Sequence, residues 1–175
     1  MENFLKVFDA MLSYYAGDPK RIQHFTKVHS YARIIGLKEG LSERMQYILE
    51  LSALVHDIGI KNAELKYHSS MGKYQELEGP SEAKVLLISC GIDPDAVDRI
   101  CYLVGHHHTY KDIDGPDYQI LVEADFIVNL YEDHLPEKSA RSVMARIFKT
   151  KAGIEILKTM YQLQDAPQDR VRAAS

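Results

Sequence analysis

Hydrophobic residues recur along this chain at steps of three and four, the spacing that places side chains on one face of an α-helix. The pattern begins at the N-terminus with Phe4, Val7 and Met11. It stops before Gly17, a residue type that commonly ends helices. The spacing therefore predicts an amphipathic helix that ends near this glycine.

Several later helices have recognisable starts. Asp18-Pro19 and Asp93-Pro94 each combine an N-cap carboxylate with a proline suited to the first helical position. Ser42 is a similar cap. These residues predict a helix from 19 to about 37, one from 43 to about 57, and one that begins at 94.

The periodic pattern weakens between Lys61 and Pro80, where charged and hydroxyl side chains are frequent. This stretch predicts a long polar loop, and Pro80 is expected to open the helix that follows. Apolar spacing returns after Pro80, and no segment shows the alternation typical of a strand. The sequence predicts an all-α fold of about seven or eight helices. We expect one domain over residues 1–175, with C-terminal helices within 136–163 and a frayed tail at 164–175.

Composition excludes some classes of protein. The chain has 175 residues, 46% of them hydrophobic, and a net charge of -4. This balance supports a substantial core and argues against a nucleic-acid-binding surface. We found no membrane-spanning stretch, no signal-peptide pattern and no disulfide framework, so we expect a cytoplasmic protein without membrane or nucleic-acid partners.

A few ionisable residues interrupt the apolar helical faces. His56 and Asp57 end a largely apolar helix, Asp125 lies on another apolar stripe, and His24 falls within the apolar arc of the second helix, whereas His29 lies at its edge. Burying such groups is costly unless they are paired or bind a metal. Nitrogen and oxygen donors without thiolates suit Mn, Fe, Co, Ni or Zn, or Mg with more carboxylate and water ligands. A hydrogen-bonded network is the alternative explanation.

Together with His24, the segments His56–Gly59 and Glu123–Asp125 resemble the HD (HDIG-type) superfamily of metal-dependent phosphohydrolases. The resemblance covers residues 20–132, approximately the motif core of the chain. It implies a single-domain helical bundle with a divalent metal ion in its core. By this resemblance the ion is held by His24, His56, Asp57 and Asp125.

Some members of this superfamily bind a second metal ion through histidines between the His-Asp pair and the last aspartate. In this chain the histidines in that interval are His106, His107 and His108. Gln75 and Glu78 are further candidates for a second metal or for phosphate contacts. The sequence leaves open whether the protein binds one ion or two.

The resemblance implies hydrolysis of a phosphomonoester or phosphodiester by metal-activated water, with a small nucleotide-like or other phosphorylated metabolite as substrate. We expect Asp57 to serve catalysis, Lys61 to neutralise phosphoryl charge, and His107 to act as a second-metal ligand or general acid. Many HD enzymes have an acid soon after the His-Asp pair, where this chain has Ile60. A non-catalytic sensor or adaptor that binds a nucleotide or protein, with a structural metal, is therefore the alternative. A homodimer is also left open.

Overall fold

The computed structural model describes residues 2–164, and these residues form nine α-helices and no β-strand. The all-α prediction is confirmed, with one or two more helices than expected. The predicted frayed tail lies outside the described residues from position 165 onward. The helices are α1 (Glu2–Tyr14), α2 (Pro19–Glu39), α3 (Glu43–Val55), α4 (Ile60–Tyr67), α5 (Gly72–Ser89), α6 (Pro94–Val104), α7 (Pro116–Glu132), α8 (Glu137–Ile147) and α9 (Lys151–Tyr161).

The helix starts predicted from Asp18, Ser42 and Asp93 are confirmed. The side chain of Asp18 accepts a hydrogen bond from a backbone N–H in the first turn of α2, and those of Ser42 and Asp93 do the same for α3 and α6. Each carboxylate or hydroxyl satisfies a backbone donor that has no partner inside its helix. At the other end of α2, Gly40 takes the left-handed conformation with φ 72°, which favours glycine.

Helix α3 lies between two hydrophobic clusters. Leu49 and Ala53 pack into a cluster with α2, α7, α8 and α9. Leu51 and Leu54 pack into a second cluster with α1, α5 and α6. Because α3 is apolar nearly all round, burial extends to its last turn and places His56, which has no exposed surface, between the two clusters.

The predicted polar loop between Lys61 and Pro80 is wrong. Most of this stretch is helical, in α4 and in the first half of α5, and Pro80 lies inside α5 rather than at its start. Two of its polar side chains, Gln75 and Glu78, are buried against specific partners, which hid the helical pattern. Tertiary packing outweighs the cost of the proline, because the ring of Pro80 fits against the end of α6 at Gly105.

Two glycines let the turn after α3 approach α5 and α6. A Cβ atom on Gly59 would lie 2.5 Å from the carbonyl oxygen of Gln75, and one on Gly79 would lie 2.6 Å from Val104 Cγ1. Both distances are far below van der Waals contact. The glycines therefore permit the close packing that holds the turn after Asp57 against α5.

None of the helices within residues 2–164 combines the length and apolar character needed to cross a membrane. The expectations of one domain and of a cytoplasmic location stay predictions.

Candidate metal centre

Four side chains from three parts of the fold meet between the two hydrophobic clusters. His24 comes from α2, His56 and Asp57 from the end of α3, and Asp125 from α7. His24 Nε2 lies 3.2 Å from His56 Nε2, 3.2 Å from Asp125 Oδ1 and 3.6 Å from Asp57 Oδ2. His56 Nε2 lies 3.5 Å from Asp125 Oδ1 and 3.7 Å from Asp57 Oδ2. These spacings match ligand atoms that share one metal ion at about 2.0–2.2 Å.

The buried oxygen Oδ1 of Asp125 makes no hydrogen bond within the described residues. Its residue is only 4% exposed, so a carboxylate oxygen without a donor is costly there. A divalent cation among the four side chains would compensate this oxygen. The donor set and its spacing therefore fit a metal ion, and His24, His56 and Asp57 form a compact candidate ligand group.

The second nitrogen of each buried imidazole is already engaged. Nδ1 of His56 donates to the carbonyl oxygen of Ala53 at 3.0 Å, and Nδ1 of His107 donates to that of Val104 at 2.9 Å. Nδ1 of His24 instead donates to the carboxylate of Glu132 at 3.0 Å. These bonds direct Nε2 of each ring toward the carboxylates, as metal-binding histidines require.

Asp57 belongs to a second group as well. While its Oδ2 faces His24 and His56, its Oδ1 lies 2.9 Å from His107 Nε2 and 3.8 Å from His108 Nε2. Asp57, His107 and His108 also form a candidate metal-ligand group. The geometry thus brings one carboxylate between two pairs of imidazoles.

The electrostatics of the cluster favour ionised carboxylates beside a protonated His24. Burial alone would lower the pKa of His24, but Asp125, Asp57 and Glu132 outweigh burial and raise this pKa to about 9. Burial would raise the pKa of Asp57, yet His56 and His107 bring it well below its usual value. The pKa of His108 falls to about 4 because the ring is buried and lies beside His107. A metal ion would therefore displace a proton from His24 near neutral pH.

A cleft of about 410 Å³ opens onto this cluster. Its wall includes His24, Asp57, Gln75 and His108. Gln75 joins two parts of the wall, since its Nε2 donates to Ser70 O and its Oε1 lies 3.2 Å from His108 Nε2. The cluster is thus reachable from outside although most of its side chains are buried.

Three of the predicted site residues lie away from this cleft. Lys61 Nζ donates to the carbonyl oxygen of Tyr14 and lies 4.9 Å from its ring centroid, because Lys61 and Ile60 point in different directions from the first turn of α4. His106 stacks on Tyr102 and bonds to its carbonyl oxygen. Glu78 accepts hydrogen bonds from Lys66 and Tyr67. The structure therefore does not support the expected phosphoryl contact of Lys61, nor the expected contacts of His106 and Glu78.

His107 lies at the cluster but not on the cleft wall. It has no exposed surface and holds Asp57 through Nε2. This position favours the expected ligand role over the expected general-acid role, since the ring has no direct path to a substrate.

Sequence reasoning missed several residues of the site. Glu132 follows Asp125 by seven positions on α7 and shares its helical face, and Lys20 and Arg21 precede His24 by one turn on α2. The same helical spacing that selected His24 could have found all three. Tyr15 gave no such signal; its buried hydroxyl donates to the carbonyl oxygens of Asp57 and Ile58 at 3.2 Å and fixes the turn after α3.

Comparison with known proteins supports the fold. No protein-family model matches the chain, and no curated protein matches it. It is similar to a solved structure, the crystal structure of a predicted HD superfamily hydrolase from an uncultured Thermotogales bacterium. The TM-score is 0.66 at 20% sequence identity, over 90% of this chain and 84% of that chain. The HD-type helical fold expected from the sequence is therefore confirmed.

Proposed function

We propose that this protein is a metal-dependent phosphohydrolase that cleaves a phosphomonoester or phosphodiester bond of a small metabolite, such as a nucleotide. The observation that carries the proposal is the buried cluster of two imidazoles and two carboxylates, with its unsatisfied Asp125 oxygen, at the end of an open cleft. The solved structure of similar fold, a predicted HD superfamily hydrolase, supports the reaction class.

His24, His56, Asp57 and Asp125 would hold the ion, and Mn, Fe, Co, Ni, Zn and Mg are all compatible with these donors. When bound, a divalent ion supplies Lewis-acid activation of water and of a phosphoryl oxygen. Asp57 would link the two candidate ligand groups, because its Oδ2 faces His24 and His56 and its Oδ1 faces His107 and His108. A second ion at Asp57, His107 and His108 is part of the proposal.

The proposed cationic contact for the phosphoryl group is Lys20 rather than Lys61. Lys20 lines the cleft and forms no ion pair with other described residues. Its neighbour Arg21 also lines the cleft but is bound to Asp18 and Glu64. A free ammonium group can neutralise charge that develops on phosphoryl oxygens, whereas a guanidinium held by two carboxylates is already compensated.

The cleft favours a small substrate. Its volume of about 410 Å³ lies in the range typical of small-molecule sites. The net charge of -4 further supports a metabolite over a nucleic acid as partner.

The test is metal analysis followed by hydrolysis assays, comparing His24→Ala with His29→Ala. Both histidines lie on α2, but His29 pairs with Glu50 outside the cluster. We expect the wild type and His29→Ala to bind metal and release phosphate or nucleotide from a substrate panel, and His24→Ala to do neither. Equal turnover by the two variants would contradict the proposed site.

A non-catalytic sensor with a structural metal is the second candidate, and Ile60 favours it. This apolar side chain lines the cleft at the position where an acid would aid proton transfer. Nucleotide binding that raises the melting temperature of the metal-loaded protein, with no turnover of any phosphoester, would support the sensor over the enzyme.

A further inference from the structure

His24 is anchored differently from the other buried histidines of the cluster. His56 and His107 each donate Nδ1–H to a backbone carbonyl within three residues, so their orientation is set by their own helix end. His24 donates to the side chain of Glu132, which is 108 positions away in sequence. The orientation of the His24 ring thus depends on how α7 packs against α2.

Glu132 is itself held in place. Its Oε2 accepts from His24 Nδ1 at 3.0 Å, and its Oε1 lies 2.5 Å from the ammonium nitrogen of Lys27. The Glu132 side chain is 13% exposed, so its charge is only weakly screened by solvent. A continuous series of polar contacts therefore runs from Lys27 through Glu132 to the candidate metal ligand His24.

We propose that Glu132 is a positioning residue that orients His24 and strengthens its binding to a divalent cation. The inference rests on the proposed function, since it concerns the same metal centre. A carboxylate that accepts Nδ1–H of a histidine fixes the ring tautomer, leaves the Nε2 lone pair for the metal and increases the electron density available there. Asn129 and Glu132 occupy the same face of α7 as Asp125, so one helix supplies both a ligand and the partner of another ligand.

The chain contains a matched arrangement away from the cluster. On α2, five residues beyond His24, His29 Nε2 lies 3.3 Å from Glu50 Oε2, and Arg33 donates to the same carboxylate. In both places a carboxylate pairs with one histidine and one cationic side chain, as Glu132 pairs with His24 and Lys27. Glu50→Gln is therefore a control for the loss of a partly buried carboxylate that pairs with a histidine.

The experiment measures Co²⁺ and Mn²⁺ affinity by calorimetry, with the visible absorption spectrum of bound Co²⁺ as a second readout. We expect Glu132→Ala to weaken metal binding by about 10- to 100-fold and to shift the Co²⁺ spectrum, because the His24 ring loses its orientation. Glu132→Gln keeps an acceptor oxygen and should lose less. Glu50→Gln should bind Co²⁺ as tightly as the wild type and give the same spectrum.

The outcomes separate this inference from the proposed function. If the wild type binds neither ion, the proposed metal centre fails and the role of Glu132 fails with it. If the wild type binds metal and Glu132→Ala and Glu132→Gln match it in affinity and spectrum, only the role of Glu132 is wrong. If Glu132→Ala does not fold, Glu132→Gln decides, and a loss equal to that of Glu50→Gln would also overturn the inference.

Discussion

Two buried carboxylates stand two residues apart on α7, and their surroundings are opposite. Glu123 has no exposed surface and accepts hydrogen bonds from the backbone N–H groups of Lys149 and Thr150 and from Gln119 Nε2. Asp125 is similarly buried, but its Oδ1 has no hydrogen-bond donor and faces two imidazole nitrogens. Backbone and side-chain donors satisfy the first carboxylate, whereas the second faces imidazoles and is compensated by a cation, either protonated His24 or a bound metal ion.

The difference shows how burial alone misleads. Glu123 stabilises the start of α9 by binding unpaired backbone donors near its N-terminus, where the helix dipole also favours a negative charge. Burial alone would raise the pKa of Asp125, but His24 and His56 lower it well below its usual value. The partners of a buried carboxylate, rather than its depth, separate a structural role from a candidate ligand role.

The largest expected effect comes from Glu123→Ala. Removing this carboxylate leaves the N–H groups of Lys149 and Thr150 and the hydroxyl of Thr150 without their acceptor inside the protein, whereas Gln119 Nε2 keeps the carbonyl oxygen of Ile147. Each buried donor left unsatisfied costs about 1–3 kcal/mol, so we expect the free energy of unfolding to fall by about 3–5 kcal/mol, measured by urea denaturation in EDTA. The folded fraction should still bind metal like the wild type. Unchanged stability would show that the two carboxylates are not distinct in the proposed way.

Asp125→Asn should give the reverse result. The substitution keeps the shape of the side chain but removes a charge that also stabilises protonated His24. The comparison is therefore made at about pH 10, where His24 is neutral and the metal-free protein should unfold within about 1 kcal/mol of the wild type. Metal affinity should fall at least about 100-fold, because an anionic ligand is lost. Calorimetric titration with Mn²⁺ checks this, and full affinity in the variant would exclude Asp125 as a ligand.

The pH dependence of the metal-free protein provides a third test. The pKa of His24 is raised from 6.5 to about 9 by its carboxylate neighbours, so protonated His24 stabilises the fold. This stability is fully present below pH 6.5 and is lost as pH rises through about 9. We expect a loss of about 3 kcal/mol over this interval in EDTA, measured by denaturation at fixed pH values. His24→Gln should remove this part of the slope, whereas the same slope in the variant would assign it to another group.

The sequence predicted these regions unequally. Asp18, Ser42 and Asp93 marked helix starts because capping depends on local chemistry, and the four candidate ligands stood out as polar residues on apolar faces. Local signals could not show the helix that contains Pro80, since its stability depends on packing against α6. They also placed Lys61 by its position in sequence, although the first turn of α4 directs it toward Tyr14.

The partners of a ligand were harder to predict than the ligand itself. Glu132 looks like an ordinary charged residue at a helix end, and its contact with His24 depends on how α2 packs against α7. Glu123 was visible next to Asp125, but its acceptor role depends on the turn between α8 and α9. Contacts between distant segments decide which of the α7 carboxylates serves the fold and which serves the site.

The smallest effect is expected for Lys27→Met. This variant tests whether Glu132 serves the packing of the fold, as Glu123 does, or the metal site, as proposed for Asp125. Lys27 is 36% exposed, so its ion pair with Glu132 is partly screened and contributes no more than about 1 kcal/mol. If Glu132 acts through His24, loosening it should weaken Mn²⁺ binding by no more than about five-fold, while the melting temperature in EDTA hardly changes. Calorimetry and thermal melts measured on the same preparation separate the two effects. A lower melting temperature with unchanged Mn²⁺ affinity would place Glu132 with Glu123, as a residue that serves packing.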